Sequence, residues 1–141
     1  MPMIYLYARC SHLDSAESGL GLEIQREQGM AAANRLIAAN PDLYFGAIYE
    51  DRVVSAYKVD LIRRRAGRKL QEVLRRGDYV IFAKMDRGFR SLRDFCVTTT
   101  LWKSMGVKLI IVDAGVDGST PHGELMLGML AIMAQFHSAI L

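Results

Sequence analysis

Tyr79-Val80-Ile81-Phe82-Ala83-Lys84-Met85 is apolar on consecutive positions rather than alternate ones, the pattern of a strand buried on both faces. Val107 to Asp113 repeats the pattern after a helical stretch, Ser91 to Met105. Upstream, Gly67 to Arg76 is predicted helical, Tyr44 to Tyr49 strand-like, and Met3 to Arg9 a short β-prone run. Between the last two, Gly21 to Asn40 carries Leu22, Ile24, Gln28, Ala32, Leu36 and Ile37 at mostly helical spacing and is stopped by Asn40-Pro41. Strands alternating with helices predict an α/β fold, with a mostly parallel central sheet flanked by helices on both faces.

At 141 residues and 51% hydrophobic, the chain fits one domain whose core needs no staples. Its two cysteines, Cys10 and Cys96, both in apolar surroundings, argue against a disulfide framework and suit a reducing cytoplasm. Met1-Pro2-Met3-Ile4-Tyr5 has neither the basic start nor the cleavage site of a signal peptide, so export is not expected. The net charge of +3 hides an asymmetry: residues 52–103 hold 14 of the 18 Lys and Arg against five acids. So local an excess points to nucleic acid, although a solvated basic helix face also produces such runs.

Ser119-Thr120-Pro121 starts a final helix, Thr120 to Leu141, with Leu125, Met126, Leu127, Met129, Leu130, Ile132, Met133, Phe136 and Ile140. Glu124, Gln135, His137 and Ser138 leave too short a clean run for a membrane span. Of the two remaining readings, a buried core helix and a helix that binds another subunit, the second accounts better for a segment one small sheet cannot cover.

In parallel sheets, functional groups gather beyond the carboxyl ends of the strands. Arg9 and Ser11, Asp51, Arg87 and Arg90, and Asp113 are predicted at that rim, served by two long polar connections, Cys10 to Leu20 and Asp51 to Ala66. A serine hydroxyl is a poor nucleophile and a phosphodiester repels attack, so fixed guanidinium groups are what phosphoryl transfer to serine needs. Arg87 ends a strand and Arg90 lies one turn on, so both can reach one anion. Each contributes about 4 kcal/mol of Coulomb attraction at 4 Å and an effective dielectric near 20, before desolvation. A Ser-His-Asp triad with His12 is disfavoured, because neighbours on an extended segment point apart and no G-x-S-x-G elbow is present. A phosphatase cysteine at Cys10 is disfavoured because Ala16 stands where its loop needs arginine, which leaves Cys10 a core residue. Arg63-Arg64-Arg65 with Arg68 and Lys69 reads equally as a solvated helix start.

These residues resemble the catalytic domain of the serine recombinases: the resolvases, invertases and related transposon and phage integrases. Tyr7-Ala8-Arg9-Cys10-Ser11 is similar to their nucleophile motif, and Gly19-Leu20-Gly21-Leu22-Glu23-Ile24-Gln25-Arg26 to the helix start that follows it. Arg76-Gly77-Asp78 and Lys84-Met85-Asp86-Arg87-Gly88-Phe89-Arg90-Ser91 resemble the third-strand motif, and Ser119 to Met126 the entry to a long oligomerisation helix. The resemblance implies a resolvase-like core over residues 1–120 and the start of the oligomerisation helix over 121–141, with the DNA-binding domain outside this chain.

It further implies that Ser11 attacks a DNA phosphodiester to give a 5′-phosphoserine link while Arg9, Arg87 and Arg90 hold the phosphate, with no cofactor, metal or ATP. Asp86 orients the arginines or assists proton transfer, and Tyr7, Gln25 and Asp51 support the site. One further family arginine falls at Arg64 counting back from Gly77, or at Arg65 by the Arg-x-Gly pattern; Arg64 is preferred. The implied partners are double-stranded DNA and further copies, as homodimer or tetramer, in the cytoplasm at the nucleoid and not at a membrane. Two departures stand out. Asp51-Arg52-Val53-Val54-Ser55-Ala56 lacks the family's glycine turn, and Phe136-His137-Ser138 lacks its acidic-arginine pair. The alternatives are an impaired recombinase relative acting in assembly, and a metal-dependent nuclease using Glu50, Asp51, Asp86 and Asp113.

Overall fold

A computed structural model describes residues 2–9, 18–51, 61–84 and 92–140. Its strands are β1 (Met3–Arg9), β2 (Tyr44–Asp51), β3 (Tyr79–Phe82), β4 (Lys108–Ile111) and β5 (Val116–Asp117). Its helices are α1 (Ser18–Ala39), α2 (Arg65–Val73), α3 (Leu92–Met105) and α4 (Pro121–Ile140), with a 3-10 turn at Leu61–Arg63. The sheet runs β2-β1-β3-β4-β5, with the first four strands mutually parallel and β5 antiparallel to β4.

Consecutive apolar residues are buried because helices cover both faces. Ile4, Leu6, Tyr79, Ile81 and Ile110 pack on one side with Ala32 and Ala33 of α1. Tyr5, Tyr7, Val80, Phe82, Leu109 and Ile111 pack on the other with Leu70 of α2 and Phe95 and Trp102 of α3. Phe82 and Trp102 stack with ring centroids 6.1 Å apart, an arrangement that contributes about 0.5–1.5 kcal/mol beyond area burial. The Trp102 indole N–H donates to Gln71 at 2.7 Å, so its polar end is satisfied from α2.

The departures from expectation have local causes. The predicted helix over Gly67–Arg76 is shifted to Arg65–Val73, because the side chain that caps it comes from β2 and not from its own flank. It stops at Val73 because Leu74 is extended (φ −63°, ψ 136°). The strands predicted to end at Met85 and Asp113 end at Phe82 and Ile111. β5 was not anticipated, being two residues long and defined only by its pairing. Cys96 is half-buried on α3, whereas Cys10 lies outside the described residues.

Thr120 caps α4 by accepting the Gly123 N–H at 3.0 Å. Met126, Leu127 and Leu130 of α4 pack against the core, while Leu125, Met129, Ile132 and Met133 are exposed. Among the described residues, no helix is long and apolar enough to cross a membrane.

Close backbone approach fixes particular helix positions, Gly67 among them. A Cβ on Gly67 would lie 2.0 Å from the Leu61 carbonyl oxygen, whereas one on Gly21, inside α1, would meet nothing within 4 Å. Gly67→Ala is therefore expected to destabilise the chain by about 1–3 kcal/mol, and Gly21→Ala to stabilise it by about 0.5–1 kcal/mol. Thermal unfolding followed by circular dichroism reads both, as melting temperatures moving in opposite directions.

Candidate active site at the carboxyl ends of the strands

β1 and β2 end side by side, with Arg9 opposite Asp51 in the register. β3 lies on the other side of β1 and runs the same way, so it opens on the same rim. The predicted residues in the described part, Tyr7, Arg9, Gln25, Asp51 and Arg64, are all buried there. Ser11, Asp86, Arg87 and Arg90 lie outside the described residues.

Asp51 is the junction. Its Oδ2 accepts the Tyr7 hydroxyl at 2.7 Å, and its two oxygens accept the backbone N–H groups of Ala66 at 2.8 Å and Gly67 at 3.1 Å. These are first-turn donors of α2, left without partners by helix geometry. The residue at the N-cap, Arg64, makes no side-chain cap bond, so a carboxylate from β2 supplies the cap. The negative charge also sits at the positive end of the helix dipole.

The Arg64 side chain points inward and is buried. Its backbone is extended (φ −70°, ψ 152°), and its Nη1 donates to the Tyr7 hydroxyl at 3.0 Å. Its guanidinium carbon lies 5.9 Å from the centre of the Tyr7 ring, within cation–π range. Arg65, one residue on, is exposed. The two positions between which the motif spacing was ambiguous thus have opposite surroundings. The turn that presents Arg64 is braced from α3, where Asp94 accepts the Leu61 N–H at 3.4 Å and the Thr98 hydroxyl at 3.3 Å. Sequence reasoning missed Asp94; its signal was a first-turn acid with Thr98 four residues on.

Gln25 acts on the backbone of Arg9. The Arg9 N–H donates to its Oε1 at 3.2 Å, and its Nε2 donates to the Arg9 carbonyl at 3.0 Å and more weakly to that of Gly21 at 3.4 Å. The β1–β3 register ends at Tyr7 and Phe82, so the amide takes over where pairing with β3 stops. One side chain on α1 therefore fixes the backbone of Arg9 at the end of β1.

Burial pushes the Tyr7 hydroxyl far above its ordinary range; Arg64 pulls it down and Asp51 pushes it up, both as lesser effects. At neutral pH Tyr7 is a neutral donor to Asp51 and acceptor from Arg64. With Asp51 negative, the arginines at 9 and 64 leave the cluster with net charge +1, suited to an incoming anion.

The alternative acidic set does not assemble as expected. Glu50 and Asp51 point to opposite faces of β2, Glu50 pairing with Arg26 of α1 while Asp51 is held by Tyr7 and the start of α2. Asp113 follows β4, its N–H donating to the Ala83 carbonyl at 3.0 Å, and Asp86 lies outside the described residues. Among the described residues, no three His, Cys, Asp or Glu side chains group as a metal would require.

The family model described as "Resolvase, N terminal domain" matches residues 4–141. Among solved structures, the chain is similar to the N-terminal catalytic domain of TP901-1 integrase, with TM-score 0.71, 20% identity and 98% of each chain covered. It is also similar to a resolvase family site-specific recombinase from Streptococcus pneumoniae, with TM-score 0.70 and 25% identity over 99% of this chain and 89% of that one. A third likeness is to the C-terminal catalytic domain of ISC1926 TnpA, an IS607-like serine recombinase, with TM-score 0.55 and 22% identity over 98% of this chain and 84% of that one. The first and third are likenesses of fold. No curated protein sequence matches. The mostly parallel sheet is thus one that resolvase catalytic domains share, and with the family model matched over residues 4–141 the chain belongs to the resolvase family of serine recombinases.

Proposed function

We propose that this chain is the catalytic domain of a site-specific DNA recombinase that cuts and rejoins DNA through a 5′-phosphoserine at Ser11, without metal or ATP. The observation that carries the reading is the buried Arg64, bonded to Tyr7, which in turn donates to Asp51, at the rim where Arg9 ends β1, two residues before Ser11 in the sequence. Family membership supports it independently.

In the proposed reaction the Ser11 Oγ loses its proton and bonds to phosphorus, and the bond from phosphorus to the 3′ oxygen breaks. That oxygen gains a proton and leaves as a free 3′-hydroxyl. The phosphodiester energy is kept in the serine ester, so a 3′-hydroxyl can reverse the step and rejoin the strand. Arg9, Arg64, Arg87 and Arg90 stabilise charge on the phosphoryl oxygens, and an arginine fixed before substrate arrives needs no reorganisation as that charge develops. Asp86 orients the arginines or assists proton transfer. Strands exchange by subunit rotation in a tetramer joined through α4, whose exposed Leu125, Met129, Ile132 and Met133 form the contact.

Ser11→Ala is expected to abolish the covalent protein–DNA adduct on a nicked duplex, read by denaturing gel, while leaving the circular dichroism spectrum intact. An adduct that survived would remove Ser11 as the nucleophile. Tyr7→Phe leaves Asp51 and Arg64 each short of a partner, so stability falls by about 1–3 kcal/mol and adduct formation slows by up to about 100-fold. The folded chain holds the Tyr7 proton more tightly than the unfolded one, so this group adds no pH dependence below about pH 10 and destabilises as pH rises beyond it. In Tyr7→Phe that alkaline loss is expected to shrink, while the contribution of Tyr5, whose hydroxyl burial also raises, remains. Charge at the exposed positions of α4, as in Met129→Glu with Ile132→Lys, is expected to reduce self-association in sedimentation velocity without lowering the melting temperature of the monomer.

A further inference from the structure

α2 carries its charges in the sense opposite to the one that would stabilise it. A helix favours acids in its first turn and bases in its last, each worth about 0.3–1 kcal/mol when exposed. α2 has no acid in its first turn and no base in its last. Its buried side is Ala66, Gly67 and Leu70. Its exposed side begins with Arg65, Arg68 and Lys69 and meets its only acid at Glu72. Residues three and four apart share a helix face, so the three cations form one stripe.

Asp51 neutralises the inner side of this helix end. Among the described residues the outer side has no such partner, their one ion pair being Arg26 with Glu50. From Arg65 to Lys69 the helix rises about 6 Å, close to the roughly 6.8 Å axial rise of two phosphate steps along one DNA strand. The stripe adjoins Arg64, so it borders the candidate site directly. A membrane surface is the poorer match, because the apolar side of α2 is already buried in the core.

We infer that the face of α2 formed by Arg65, Arg68 and Lys69 grips the phosphate backbone of double-stranded DNA beside the reacting phosphate. The inference rests on the recombinase reading and extends it to a binding surface outside the nucleophile's own motifs. Each contact of this kind is blind to base sequence and adds a counterion-release contribution to affinity.

The test is the double variant Arg68→Gln/Lys69→Gln, which removes two exposed cations and no described hydrogen bond or ion pair. Binding to a short labelled duplex is followed by fluorescence anisotropy across roughly 50 to 200 mM salt, with protein up to about 100 µM. The slope of log affinity against log salt is expected to fall in magnitude by about 1.8, and the melting temperature to stay level or rise. Arg35→Gln on α1, on the opposite face of the sheet, is expected to leave the slope unchanged.

An unchanged slope in the double variant, or no binding by the parent, would overturn the inference. Loss of self-association with DNA binding intact would also overturn it, by making the stripe a protein-binding surface. A parent that forms no Ser11 adduct yet shows the stripe-dependent slope would remove the recombinase chemistry and leave this surface standing.

Discussion

A single buried carboxylate ties the rim together. Removing Asp51 from water costs several kcal/mol unless its oxygens are satisfied, and three donors from two elements satisfy them: Tyr7 on β1 and the Ala66 and Gly67 amides on α2. The same bonds cap α2, fix where it begins, and so decide that Arg64 stands just outside the helix and turns inward. A second aspartate works at the opposite end of the sheet. Asp78 accepts the Met3 N–H at 2.9 Å and the Arg75 N–H at 2.8 Å, joining the start of β1 to the turn before β3. That turn depends on Gly77, whose positive φ of 91° lets its N–H reach the Gly106 carbonyl. β1 is therefore held at both ends by buried carboxylates, and its position sets that of Arg9.

The strand order follows from patterns that need no tertiary knowledge. Tyr79 to Phe82 and Lys108 to Ile111 are apolar on both faces because α1 covers one and α2, α3 and α4 the other, and only a parallel sheet demands that. Asn40-Pro41 and Thr120-Pro121 punctuate α1 and α4 by their own chemistry. The start of α2 was less legible, since its cap lies on β2, fourteen residues before Arg65, and nothing beside Arg64 announces it. β5 was illegible for a related reason: two residues carry no periodicity, and only pairing with β4 makes them a strand.

The site was legible in kind and not in arrangement. Spacing and charge nominated Tyr7, Gln25, Asp51 and Arg64, but not how they act on one another. Gln25 works through two bonds to the backbone of Arg9, a role that any residue pattern conceals because it uses no side chain of its partner. Asp51 was read as a rim acid, yet its lone pairs are spent on structure. Glu50, its neighbour, was grouped with it until the alternation of β2 sent the two to opposite faces.

This arrangement also constrains which group can move a proton. Tyr7 has a hydroxyl that burial makes harder to ionise, so at neutral pH it cannot accept the serine proton by first giving up its own. Arg9 and Arg64 carry guanidinium groups, which donate hydrogen bonds and accept none. Asp51 is committed to a hydroxyl and two amides, and spending its oxygens elsewhere would weaken the cap of α2 that places Arg64. The described cluster is thus built for charge and position. In the proposed reaction proton transfer is therefore assigned to a group outside it, and the proposed carboxylate is Asp86, which precedes Arg87 in the sequence after β3.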